Sequence, residues 1–111
     1  MYVNQMIPEL KPQEVSARAK EFTLIDVRRP DEFTGELGHI AGAKLVTLET
    51  DLPHFLPTLS KDTTYVFVCR SGGRSGAATQ LALDQGFTKV YNMAGGMLAW
   101  NALGLAVETK T

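Results

Sequence analysis

The sequence predicts an α/β fold built on a mainly parallel central sheet with helices on both faces. Short β-branched and apolar runs alternate along the chain with segments that read as helices, the signature of α/β order. The strongest run, Tyr65-Val66-Phe67-Val68, is apolar without a break, as in a strand covered on both sides. It feeds through a glycine loop straight into a helical segment, the arrangement a parallel crossover requires.

Taken in order, Lys11-Pro12-Gln13-Glu14 puts proline where a first helical turn tolerates it, and Val15, Ala19 and Phe22 follow near one helical face, so a short helix is expected to about Lys20. Phe22 to Val27 reads as a buried strand that stops at a charged, proline-containing stretch, leaving Asp26 and Arg28 at its edge. A turn of helix is expected around Pro30 to Thr34. Gly35, Gly38 and Gly42 then punctuate the chain before a strand at Ala43 to Thr47. Pro53 and Pro57 keep any helix between Asp51 and Leu59 short. After Tyr65 to Val68 comes a helix from Ser75 to Gln85, with Ala78, Leu81 and Ala82 on its apolar face and Gly86 as its stop. Lys89 to Asn92 is a further strand, Ala94-Gly95-Gly96 a turn, Met97 to Leu103 a helix, and the tail from Ala106 an edge strand.

At 111 residues the chain suits a single domain, 1–111, because a second core would be starved of residues. A hydrophobic fraction of 44% and a charged fraction of 21% are those of an ordinary soluble protein. With 11 basic and 12 acidic residues the formal charge is -1, which gives no global attraction for nucleic acid or an anionic membrane. Met1 to Leu10 shows no basic start before a long apolar run, and Tyr65 to Cys69 is too short to cross a bilayer. One cysteine makes neither an intrachain disulfide nor a four-ligand zinc site, and a free thiol is best kept reduced. The expectation is a cytoplasmic protein with no metal and no cofactor.

The chemistry points to Cys69. A cysteine is a good nucleophile only as its thiolate, which is favoured at a helix N-terminus where unpaired N–H groups face it. Cys69 stands between a strand and such a helix start, and Gly72 and Gly73 let the backbone curl so that successive N–H groups turn toward one anion. Arg70 and Arg74 add positive charge at the rim. A core cysteine has no need of two glycines, two arginines and a helix start within six residues. The loop also lacks the Lys-Ser/Thr ending of a nucleotide P-loop.

Three blocks carry a resemblance to the rhodanese homology family. They are Asp26-Val27-Arg28-Arg29-Pro30-Asp31-Glu32-Phe33 with Gly38-His39-Ile40-Ala41-Gly42-Ala43, then Cys69 to Ser75, then Val90 to Trp100 with its Gly95-Gly96 pair. The resemblance implies a rhodanese-like fold and a sulfurtransferase that moves sulfane sulfur from a small-molecule donor such as thiosulfate to a thiol or cyanide acceptor through a Cys69 persulfide, with a sulfur-relay protein as a further partner. It also separates sulfur transfer from phosphoryl chemistry. Sulfurtransferases of the family have a six-residue loop counted from the cysteine, as Cys69 to Arg74 is, whereas related phosphatases carry one residue more. The alternatives are a Cys-dependent phosphatase or arsenate reductase, and a noncatalytic binding module. The chain departs from some thiosulfate-specific two-domain members, which carry a basic residue near the position of Glu32; an acid there does not attract thiosulfate.

In this reading Cys69 is the nucleophile, and the N–H groups of Arg70, Ser71, Gly72, Gly73, Arg74 and Ser75 stabilise the anionic sulfur. Arg74 either shapes the loop or holds the donor's anionic end, and Arg70 faces solvent and steers anions. Asp26 and Arg28, opposite charges at a strand end, are expected to form a supporting ion pair rather than to touch substrate. His39 is expected to be a hydrogen-bonded structural residue, His54 a surface residue, and Trp100 and Met97 core.

Overall fold

A computed structural model describes residues 7–110; of the N-terminal stretch read for an export signal, residues 1–6 lie outside the described residues. Five strands form one sheet, β1 (Glu9–Leu10), β2 (Thr23–Asp26), β3 (Lys44–Leu45), β4 (Tyr65–Val68) and β5 (Val90–Met93), in the spatial order β1-β5-β4-β2-β3 with every pairing parallel. The central strand is β4, paired with β2 from Thr23–Tyr65 to Asp26–Val68 and with β5 from Tyr65–Val90 to Phe67–Asn92. Its position explains its sequence: with a neighbour on each edge and helices on each face, all four residues are buried.

Successive side chains of β4 enter different cores, as the two-residue repeat of a strand demands. Tyr65 and Phe67 join Ile25 and Val90 under α4 (Gly73–Asp84), which contributes Ala78 and Ala82. This is the apolar face read from the sequence, with Leu81 packed at its margin. Val66 and Val68 join Leu24 and Met93 on the opposite face, covered by Val15 of α1 (Pro12–Ala17) and by Met97 and Trp100 of α5 (Gly96–Ala102). The Trp100 indole donates to the carbonyl of Ala106 at 3.0 Å. Short elements complete the chain: 3-10 turns at Ala19–Glu21 and Leu56–Thr58, with α2 (Pro30–Phe33) and α3 (Leu52–Phe55).

The structure corrects several boundaries. The first helix ends at Ala17 rather than near Lys20, the last turn tightening to 3-10 form. The strand expected at Ala43 to Thr47 shortens to Lys44–Leu45 because Thr47 turns away: its hydroxyl bonds the carbonyl of Arg28 at 2.8 Å, and its own carbonyl receives the N–H groups of Asp51 and Leu52. The tail from Ala106 is no edge strand; it makes one antiparallel bridge in which His39 and Glu108 exchange two 2.8 Å backbone bonds. The true edge beside β5 is β1, too short to leave a periodic signal. No helix among the described residues is long and apolar enough to cross a membrane.

Candidate active site

Cys69 follows β4 at the C-terminal edge of the sheet and is 1% exposed. The loop after it is shaped from two sides. On the outside, the start of α5 takes its carbonyls: Met97 N–H donates to Cys69 O at 2.8 Å and Leu98 N–H to Arg70 O at 3.0 Å. This approach is possible only because residue 96 is glycine, at φ +57; a Cβ there would lie 2.5 Å from both carbonyl oxygens. The Gly95-Gly96 pair, read from the sequence as a turn, therefore also clamps the cysteine loop.

With its carbonyls held outward, the loop turns N–H groups inward. Gly72, at φ +105, donates to Cys69 Sγ at 3.1 Å, and α4 starts at the next residue, two positions earlier than its sequence pattern indicates. The Ser75 hydroxyl lies 3.2 Å from the same sulfur. Burial pushes the Cys69 thiol up, but hydrogen bonds from the Ser75 side chain and from the N–H groups of Ser75, Gly72 and Ser71 outweigh it, so the thiol sits below its ordinary value. Of the cradle expected from Arg70 to Ser75, Gly72 and Ser75 meet the sulfur in hydrogen bonds.

Of the two loop arginines, Arg70 is exposed, whereas Arg74 is bound. Its guanidinium makes a two-pronged bond to Glu32, Nη1 to Oε1 at 2.7 Å and Nη2 to Oε2 at 2.8 Å. Glu32 is fixed in turn by the backbone N–H of Arg29 at 3.1 Å. The Arg74 guanidinium, with help from Arg29 and against a smaller effect of burial, holds the Glu32 carboxyl well below the usual range, at about 2. A cleft of about 190 Å³ beside the loop is bordered by Glu32, Asp31, Glu36 and Arg70.

Asp26 and Arg28 form the ion pair the sequence implies, both 1% exposed or less. Arg28 donates to both Asp26 carboxylate oxygens, at 2.9 and 2.8 Å, and to the carbonyls of Gly38 and Glu32 at 2.7 and 3.2 Å. The pair ties the end of β2 to the segment carrying Glu32, and so to Arg74. His39 is buried, stacked 3.6 Å from Phe33 and donating from Nδ1 to its carbonyl at 2.7 Å, while His54 is exposed. Among the described residues no group of three or more His, Cys, Asp or Glu is placed to hold a metal ion.

Two residues near the site escape sequence reasoning. Glu32 as the partner of Arg74 has no local signal, since the two meet across 42 positions. Asn92 had one: a polar residue in an otherwise apolar strand, 3% exposed, in β5 next to the cysteine strand. Its side chain bonds Ser75, Glu9 and the Gly72 carbonyl.

A lone thiol at the end of the central parallel strand, ringed by N–H donors where a twelve-residue helix begins, defines a cysteine-loop α/β domain. Comparison narrows the class. Residues 11–103 match the Rhodanese-like domain, and the chain belongs to that family. It is 31% identical over 105 residues to a sulfurtransferase of Allochromatium vinosum, covering 92% of this chain and 95% of that one. It is 37% identical over 83 residues to the thiosulfate sulfurtransferase GlpE of Shewanella oneidensis, covering 75% and 79%. Among solved structures, a rhodanese-related protein from Thermoplasma volcanium superposes with a TM-score of 0.83 at 26% identity, over 93% of this chain and 99% of that one.

Proposed function

We propose that this protein is a sulfurtransferase that carries sulfane sulfur as a persulfide on Cys69. The observation that carries this reading is the sulfur's surroundings: Cys69 Sγ receives the Gly72 N–H at 3.1 Å and has the Ser75 hydroxyl 3.2 Å away, polar groups able to stabilise negative charge at the end of a rigid strand. In the first half-reaction the Cys69 thiolate attacks the outer sulfur of a donor such as thiosulfate. The donor's S–S bond breaks, sulfite leaves with the bonding pair, and Cys69-S-S⁻ forms. In the second, cyanide or a thiolate attacks the outer sulfur, and Cys69 departs as the thiolate. No proton and no oxidant is needed. The loop N–H groups serve both steps, Arg70 steers anions from its exposed position, and the Asp26–Arg28 pair supports the loop from behind. The thiolate must stay reduced between turnovers, which suits the cytoplasm.

Intact-protein mass spectrometry after incubation with thiosulfate, and separately with a small-molecule persulfide, tests the reading. A gain of one sulfur atom, reversed by cyanide and absent in Cys69→Ser, is the expected result. No gain with either donor would overturn it.

A further inference from the structure

The side chain of Asn92 can lie only one way round. One end faces Glu9 Oε2 at 2.9 Å and the Gly72 carbonyl at 3.1 Å, both acceptors only, so the amide NH₂ must point there. Its Oδ1 therefore faces the Ser75 hydroxyl, and accepts from it. That hydroxyl also touches Cys69 Sγ at 3.2 Å. Ser75 is wholly buried, and a hydroxyl has one proton to give.

The protonated thiol fits this arrangement without conflict. Cys69 S–H donates to Ser75 Oγ, and Ser75 O–H donates on to Asn92. Loss of the thiol proton breaks the chain, because Ser75 then stands between two acceptors. We propose that Asn92 is a positioning residue for the reaction, which sets how readily Cys69 ionises by contesting with Sγ for the single Ser75 proton. The inference rests on Cys69 being the nucleophile. It also distinguishes the empty from the loaded protein: in the persulfide the charge moves to the outer sulfur, and Ser75 can return its proton to Asn92. The amide thus disfavours the bare thiolate and leaves the persulfide unpenalised, which pulls sulfur onto the protein.

Other charges near Cys69 act alongside. Arg70 and Arg74 come from the loop and the start of α4, with Arg74 held by Glu32; the Asp26–Arg28 pair closes β2; Glu9 on β1 lies behind Asn92. The α5 segment Gly96–Ala102, packed against the loop, carries no titratable side chain. Asn92 meets the sulfur through the Ser75 proton, and it also holds the carbonyl of Gly72, whose own N–H donates to Sγ.

Thiolate ultraviolet absorbance, titrated on the full chain, reads Cys69 alone because it is the only cysteine. Asn92→Leu should increase the ionisation constant, by about threefold to tenfold for one hydrogen bond reassigned to a charged sulfur. Ser75→Ala should decrease it, and in that background the effect of Asn92→Leu should shrink. An unchanged midpoint in Asn92→Leu, or the same shift with and without Ser75, would overturn the proposal. Should Asn92→Leu not fold, Glu9→Gln at an exposed position weakens the same amide's pull, and its shift must shrink when Ser75 is alanine. Equal shifts in the two backgrounds would be the overturning result. The titration needs no sulfur donor, so it succeeds or fails independently of the persulfide measurement.

Discussion

Arg74 and Glu32 meet across 42 positions of chain through two parallel hydrogen bonds of 2.7 and 2.8 Å, which leaves the loop's last arginine neutralised by a carboxylate. The sequence left two roles open for Arg74, shaping the loop or holding the donor's anionic end, and here its guanidinium is engaged by a carboxylate. Replacing the acid while keeping its shape should redirect the guanidinium. Glu32→Gln is therefore expected to lower KM for thiosulfate by about threefold to tenfold, the scale of one charge restored at a partly exposed site, with little change in kcat. Steady-state kinetics with cyanide as acceptor measure it. A KM equal to or above that of the wild type would show that Arg74 does not reach the donor even when released.

The same pair makes stability depend on acid. A carboxyl whose folded value is about 2, below the unfolded glutamate value of about 4.3, adds stability that is fully present above the latter and lost as pH falls through the former. Wild type should therefore lose urea resistance more steeply than Glu32→Gln between about pH 4 and 2. Parallel curves over that window would assign the acid sensitivity to other carboxylates.

Gly96→Ala tests the clamp on the loop's outer side. The added Cβ would lie 2.5 Å from the carbonyl oxygens of Cys69 and Arg70, at a φ of +57 that alanine resists. Backbone must move on one side or the other, at a cost of about 2 to 4 kcal/mol. Displacing α5 also frees the carbonyls that it holds, so persulfide yield should fall in whatever fraction stays folded. Thermal melts and sulfur loading on the same sample check both halves.

One cysteine leaves no second thiol to discharge a persulfide. With donor alone in thiol-free buffer, release of sulfite should stop near one equivalent per chain, and adding cyanide should restart it. Continued release without acceptor would point to water or the donor itself as the second nucleophile.

Much of this was readable beforehand where the signal was local. The run Tyr65 to Val68 marks its own burial because nothing polar interrupts it, and Gly72-Gly73 after Cys69 marks a loop that must curl. Asp26 and Arg28 read as opposite charges at a strand end, and the structure joins them in a buried ion pair. What escaped depends on contact between distant segments. The two residues of β1 earn their strand only by pairing with β5, and Glu32 acquires its partner only when α2 packs beside the loop. The Ala106 tail failed in the opposite direction: it makes one bridge, Glu108 to His39, outside the sheet.

The central place of β4 has a consequence for how the site can be lost. Its neighbours β2 and β5 are separated from it in the chain by long crossovers, and hydrogen bonds reach both its ends, from Tyr65 N–H to Lys89 O and from Val27 N–H to Val68 O, each at 2.9 Å. Such a strand does not fray. Opening it requires the whole sheet to part, so its amides should exchange with solvent only through global unfolding. Cys69 stands one residue beyond that strand, so the sulfur is reached by motion of the loop while its base stays fixed, and a variant that destabilises a distant edge should speed exchange of the β4 amides before it changes sulfur loading.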